Sequence, residues 1–440
     1  MSDALFTDLY ELTMMAGYHA DGRADQPVTF DLFFRTRPAG VDVVVAAGLD
    51  PVLDYLETLA FSEEDLRFLD TLDLFTVDFL DRLAALRFTG DVWAVPEGLP
   101  VFGDEPILRV TAPLAQAQLV ETALLNRICY ASLVASNAAQ IATAARGKGV
   151  LEFGARRAHG PDGAITGARA ALIGGATATS NVEAGRRFGV PLSGTMAHSW
   201  VMAYDRELEA FRAYARSFPD SCVLLVDTYD TLAQGLPNAI TVAGELAARG
   251  HALSGVRLDS GDLALLAREA RRLLDQAGFP DVRILASGDL DAPRIAALEE
   301  EGAPIDGYGV GTALLTARHD PTFGGVYKLA DVAGEPVLKV SASPEKTTSP
   351  GCKQVWRAEA GDVIGLADED LEGTPLLVPA MRDGRREQGP VPIAALRDRS
   401  RAAVAEIRPK VVAGTWSVRR SPRLEVLRER LVDRLGGGGR

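Results

Sequence analysis

Cysteine is scarce in this chain. Its three cysteines, Cys129, Cys222 and Cys352, lie far apart with no paired spacing. Neither a disulfide framework nor a cysteine-based zinc site is supported, and a reducing compartment, the cytoplasm, is expected. A basic excess is missing as well: the formal net charge is −14. Nucleic-acid binding is therefore disfavoured, because phosphate backbones demand basic surface. Small anions can still be bound, through local arginines and backbone N–H groups. No apolar run reaches the length of a membrane span. The first residues carry Asp3, Asp8 and Glu11 in an amphipathic stretch and do not read as a signal peptide.

What is present is ordinary for a soluble globular protein, 47% hydrophobic and 24% charged residues. At 440 residues two or three domains are expected. Three regions stand out: an N-terminal α/β region over residues 1–114, a β/α barrel over 115–336, and a C-terminal segment over 337–440 that returns to the first region or stands alone. In the first region, helical spacing over 4–19 predicts a docked helix. Strands are predicted at Val28–Phe34 and Val41–Ala47, helices near 50–60, 63–70 and 76–86, and a hairpin from Val92–Gly103 and Ile107–Thr111 bent at Pro96-Glu97-Gly98. Tyr10 lies opposite the apolar stripe of the first helix, where most tyrosines only pack. Arg35 and Arg37 flank a strand end, either solvated or holding a phosphate.

From residue 115 a long helix to about 146 precedes short apolar strands alternating with amphipathic helices, which implies a parallel sheet. The strands predicted are Val150–Phe153, Ala171–Ile173, Val190–Leu192, Cys222–Val226, Gly255–Leu258, Val282–Ala286 and Gly307–Val310. About seven such units suggest a closed or nearly closed barrel. In the C-terminal segment, strands are predicted at Val337–Val340, Gln354–Glu359 and Leu376–Met381 and helices at 393–405 and 423–435, before a loose glycine tail, Gly436–Gly439.

In such barrels chemistry sits at the C-terminal strand ends, and nearly every predicted end carries polar residues. Ser193-Gly194-Thr195-Met196-Ala197-His198-Ser199-Trp200 puts one of only five histidines where a strand hands over to a helix predicted to reach about Ser217. Read alone, it is equally a helix-capping cluster. Ser287-Gly288-Asp289 and Gly309-Val310-Gly311-Thr312 read as phosphate-cradling turns, since glycine admits an anion to the backbone and helix N-termini favour negative charge. Asp227, Asp259 and Asp289 either cap helices or meet sugar hydroxyls or Mg²⁺. Arg156 and Arg257 suit a planar carboxylate, and Phe153 either stacks on a ring or packs in the core.

Together these segments resemble the nicotinate phosphoribosyltransferase family. The resemblance lies in Glu152-Phe153-Gly154…Arg156-Arg157-Ala158, Gly160-Pro161-Asp162-Gly163-Ala164, Thr179-Ser180-Asn181-Val182, Gly194-Thr195…Ala197-His198-Ser199 and Arg257-Leu258-Asp259-Ser260-Gly261-Asp262. Thr7-Asp8-Leu9-Tyr10, Phe33-Phe34-Arg35 and Lys353-Gln354-Val355-Trp356-Arg357 extend it over almost the whole chain. It implies an irregular α/β barrel with an α/β domain built from both chain ends. It also implies a homodimer or higher oligomer with active sites at the subunit interface.

The implied reaction joins nicotinate to phosphoribosyl pyrophosphate, giving nicotinate mononucleotide and pyrophosphate, with ATP as co-substrate and Mg²⁺ or Mn²⁺ as companion ion. By resemblance His198 is the phosphorylated histidine. Thr195 and Arg257 belong to the nicotinate site, with Phe153 on one face of the ring and Tyr10, from a neighbouring subunit, on the other. Arg156, Asp259, Ser287, Gly288, Gly311 and Thr312 surround the ribose phosphate and pyrophosphate, and Arg35 reaches phosphate across the interface. The nicotinamide-using relative has an aspartate where this chain has Ser180-Asn181, and a buried carboxylate there would repel nicotinate. Some relatives carry a zinc-binding cysteine cluster near the C-terminus; Cys352 stands alone, so no zinc is expected. A non-catalytic barrel binding a phosphorylated metabolite is the rival from another class.

Overall fold

The computed structural model describes residues 3–340 and 347–436; the tail from residue 437 lies outside the described residues. Two compact units form, one from Met1–Ser136 with Thr322–Arg440 and one from Asn137–Pro321. Among the described residues no helix is long and apolar enough to cross a membrane.

The second unit is an irregular β/α barrel. Its six parallel strands run in the order Ala178–Thr179, Gly149–Glu152, Gly307–Val310, Arg283–Ala286, Gly255–Leu258 and Val223–Leu225. The first of these strands in the chain pairs with the last, Glu152 against Val310, which wraps the sheet round on itself. A single parallel bridge, Thr179 to Leu192, is all that remains of the strand expected at Val190–Leu192. Between Leu192 and Val223–Leu225 the described residues form no ladder, so the barrel stays open there.

Two further expectations fail in this unit. Ala171–Ile173 is not a strand but the end of the helix Gly160–Gly174. That helix is wholly buried from Gly167 onward, and a short apolar run buried on all sides has the same pattern in either conformation. The helix expected from His198 to Ser217 is two, His198–Met202 and Glu207–Ser217, parted by an extended Arg206. The helix Leu263–Gln276 follows its sequence cues more closely. Asp262 caps it by accepting from the Leu265 N–H at 3.1 Å, and Gly278 follows it in the left-handed region.

The first unit interleaves both chain ends in one seven-stranded sheet. Pro27–Phe34 lies between Leu108–Pro113 and Gly325–Val332, and Val378–Arg382 pairs with Asp91–Ala94. Gly325–Val332, expected inside the barrel region, therefore belongs here, and the divisions fall at 136 and 321 rather than at 114 and 336. The reason is pairing: antiparallel partners can come from anywhere in the chain.

The expected hairpin at 92–111 is interrupted. After Asp91–Ala94 the chain leaves to pair Pro100–Val101 with Val44–Val45, then returns as Leu108–Pro113. Val337–Val340 carries no strand; Glu335–Pro336 takes that place. Within this unit the Lys353 ammonium meets the Asp31 carboxylate at 2.7 Å, with side chains only 4% and 2% exposed. The helix expected over 115–146 is two, Leu114–Leu119 and Glu121–Ala144.

Candidate functional site

The C-terminal strand ends of the barrel surround a cavity of about 590 Å³. Its wall includes ten residues singled out from the sequence: Phe153, Arg156, Thr195, His198, Arg257, Asp259, Ser287, Gly288, Gly311 and Thr312. Tyr10 and Arg35 belong to the first unit and are not on this wall.

Arg257 is the most tightly held of these. It leaves the strand Gly255–Leu258 with its side chain 12% exposed. Its Nε donates to Thr195 Oγ1 at 3.2 Å, and one terminal nitrogen donates to Asp259 Oδ1 and Ser287 Oγ, each at 3.0 Å. The other terminal nitrogen donates to the Met196 carbonyl at 2.6 Å. One N–H of the five in a guanidinium is left over, directed by four fixed neighbours. Burial lowers the pKa of Arg257, against the opposing pull of Asp259 and Asp227; its high intrinsic value keeps it charged.

Asp259 joins this arginine to the histidine. Its Oδ1 takes the Arg257 and Ser287 hydrogen bonds, while Oδ2 lies 3.7 Å from His198 Nε2. On its other side, His198 Nδ1 stands 3.2 Å from Thr228 Oγ1. The Asp259 backbone is itself fixed, its N–H donating to Asp227 Oδ2 at 2.9 Å. Asp259 does not cap the helix that follows; Asp262 does.

Backbone geometry explains the glycines. Gly288 has φ +90, and a Cβ there would sit 1.9 Å from the Asp259 carbonyl oxygen. A Cβ on Gly309 would strike the Phe153 ring at 2.6 Å. Both let adjacent strand ends approach closely, as a cradle for a small anion requires. Below the rim, buried Glu152 accepts from Thr179 Oγ1 and the Gly154 N–H, tying the first two loops together, and burial raises its pKa. Ser180 is on the cavity wall and Asn181 caps the next helix through Ala184, so no carboxylate enters at this turn.

Sequence reading missed Arg294, on the helix Ala292–Glu300, and gave no role to Arg157; both line the cavity. Arg294 carries no local signal, being one polar residue in an amphipathic helix. The Met196 carbonyl and Thr228 were equally invisible, because their roles depend on which loops meet. The wall carries four arginines against two aspartates, Asp259 and Asp289, a surplus of positive charge in an acidic chain.

A β/α barrel with glycine turns and a cationic cavity at its strand ends has the architecture in which a phosphate site is frequently formed after the last strands. Comparison with known proteins narrows this. The nicotinate phosphoribosyltransferase N-terminal domain model matches residues 5–129, and the nicotinate phosphoribosyltransferase family model matches residues 149–371. Nicotinate phosphoribosyltransferase pncB2 of Mycobacterium tuberculosis is 47% identical over 414 residues, spanning 93% of this chain and 88% of that protein. The Bacillus subtilis nicotinate phosphoribosyltransferase is 48% identical over 379 residues, spanning 84% and 77%. The crystal structure of human nicotinic acid phosphoribosyltransferase superposes with a TM-score of 0.87 at 31% identity, over 97% of this chain and 99% of that one. The chain belongs to the nicotinate phosphoribosyltransferase family.

Proposed function

We propose that this protein joins nicotinate to phosphoribosyl pyrophosphate, releasing nicotinate mononucleotide and pyrophosphate in NAD salvage, and that ATP drives the reaction through phosphorylation of His198. The observation that carries the reading is the shared wall: His198 and Arg257 face one cavity with Asp259 between them.

Arg257 receives the nicotinate carboxylate on its remaining N–H, with Thr195 beside it and Phe153 along the ring. The pyridine nitrogen then bonds to the anomeric carbon as the carbon–oxygen bond to pyrophosphate breaks, through an oxocarbenium-like ribose. Arg156, Ser287, Gly288, Gly311 and Thr312 hold the phosphate-bearing groups, whose charge grows as pyrophosphate leaves.

His198 Nδ1 lies within hydrogen-bonding reach of Thr228 Oγ1, and the ATP half-reaction uses the tautomer in which Nδ1–H donates to Thr228 and Nε2 carries the lone pair. Nε2 bonds to the γ-phosphorus while the bond to ADP oxygen breaks. The Asp259 carboxylate then offsets the positive charge of the phosphorylated imidazole ring.

Magnesium, or manganese, fits as a companion of the phosphates. Asp259 and Asp289 present carboxylates to the cavity, and Asp227 keeps one buried oxygen, Oδ1, without a hydrogen bond. Among the described residues no three metal-ligating side chains gather, which suits an ion bound largely by substrate oxygens and water. Such an ion would neutralise phosphate charge.

A second copy of the chain would supply Tyr10 and Arg35, making a homodimer with interface sites. The exposed apolar side chains Phe6, Leu9, Tyr10 and Met14 support this. Pyrophosphate release from nicotinate or nicotinamide, each with and without ATP, tests the whole reading. Nicotinate is expected to react and ATP to stimulate. A His198→Ala variant that keeps full ATP stimulation overturns the phosphohistidine, and turnover of nicotinamide alone overturns the substrate.

A further inference from the structure

Ion pairing consumes many of this chain's arginines, as Arg212 with Glu245 and Arg357 with Asp362 illustrate. Three on the cavity wall are different. The guanidiniums of Arg156, Arg157 and Arg294, on the cavity wall, make no hydrogen bond or ion pair with any described residue. Exposed arginines such as Arg146 and Arg216 also lack a partner among the described residues, so it is the gathering of three on one cavity wall in a net acidic chain that points to an anionic ligand.

Sheet order fixes where Arg157 and Arg294 stand. The strand Gly307–Val310 lies between Gly149–Glu152 and Arg283–Ala286. Arg157 is on the turn Ala155–Arg157 after the first neighbour, and Arg294 is on the helix Ala292–Glu300 after the second. The Gly311-Thr312 turn, at the end of the middle strand, thus lies between the two segments that carry Arg157 and Arg294, and all four residues line the same cavity. The acid nearest to Arg294 in sequence is already committed. Asp291 Oδ1 caps the helix through the Arg294 backbone N–H at 3.0 Å, and Oδ2 meets Arg318 at 3.2 Å and His319 at 3.3 Å.

We propose that Arg294, with Arg157 opposite, is a substrate-binding residue that clamps a phosphate group of phosphoribosyl pyrophosphate over the Gly311-Thr312 turn. This rests on the reaction proposed above and adds the residues that select for the phosphorylated substrate. Arg257, inner and fully directed, suits a planar carboxylate. Arg157 and Arg294 are exposed and without a protein partner among the described residues, which suits a larger, more highly charged and partly hydrated anion.

The test uses Arg294→Gln and Arg157→Gln in the full chain, with steady-state kinetics and calorimetric binding of inorganic pyrophosphate. Arg294→Gln is expected to raise the KM for phosphoribosyl pyrophosphate by about 10- to 100-fold, the loss of a charge-assisted contact, with the KM for nicotinate held within about two-fold. Pyrophosphate affinity should fall in parallel, and Arg294→Lys should recover part of both. Because the Arg294 side chain has no protein partner, the melting midpoint should not move. An unchanged KM for phosphoribosyl pyrophosphate, or an equal rise for nicotinate, overturns the proposal.

If the wild type does not turn over nicotinate, the reaction assignment fails by itself and the calorimetry still decides. Pyrophosphate bound by wild type and weakened in Arg294→Gln upholds the clamp. Equal binding by both, or none by wild type, overturns it.

Discussion

Asp259 Oδ1 receives a hydrogen bond from a terminal nitrogen of Arg257 at 3.0 Å, two residues back along the same strand end. Strand geometry alone puts these side chains on one face, since alternate residues point the same way. The pairing fixes one guanidinium nitrogen, and Ser287 shares both partners. What remains for a ligand is a single N–H in a defined direction, with a second carboxylate oxygen turned toward His198.

Asp259→Asn keeps the shape of this link and removes its charge. The expected result is a fall in kcat/KM for nicotinate by about 10- to 100-fold, the usual cost of a charged hydrogen bond, with little change in melting temperature. A fall smaller than about three-fold would mean that Asp259 only packs.

Gly288→Ala tests the backbone cradle. The added Cβ would meet the Asp259 carbonyl at 1.9 Å in a residue whose φ is +90, so the turn must move. A stability loss of about 1–3 kcal/mol is expected by chemical denaturation, with phosphate-substrate binding impaired as the turn shifts. Native stability in this variant would show that the loop relaxes freely.

Lys353→Met leaves Asp31 buried without its counter-charge. Apart from this ammonium, 2.7 Å from Oδ2, the Asp31 carboxylate oxygens have no polar partner among the described residues. The expected cost is about 3–5 kcal/mol in urea unfolding, and the double change Asp31→Leu with Lys353→Met should recover much of it. Equal stability of single and double variants would contradict the pairing.

Glu11 sets a pH dependence. Burial pushes its carboxyl up to about 7, although the Thr122 hydroxyl and the backbone N–H groups of Thr122 and Asp8 favour the charged form. The folded value lies above the unfolded one, near 4.5, so the contribution to stability is complete below that pH and is lost as pH rises toward 7. The expected loss is up to about 3 kcal/mol across that window, and Glu11→Gln should flatten it. The check is the melting temperature of both proteins from pH 4.5 to 8; parallel curves would refute it.

Much of the barrel is legible locally. The helix Leu263–Gln276 announces itself by its Asp262 cap, its apolar stripe and the glycine beyond, and the glycine turns after the last two strands mark close backbone approach. The buried end of Gly160–Gly174 misleads for a definite reason. Burial on every side erases the periodicity that tells a helix from a strand.

By itself, then, the sequence determined the strand–helix alternation, the polar turns at the strand ends and ten of the residues that line the cavity. Those are local matters of pattern, capping and backbone freedom. Only the tertiary structure decided that Gly325–Val332 joins the N-terminal sheet, that Asp259 links Arg257 to His198, and that Arg294 reaches the same wall. Apart from the local Arg257–Asp259 contact, these depend on strand order and on which loops meet, contacts between residues dozens to hundreds of positions apart that no local pattern encodes.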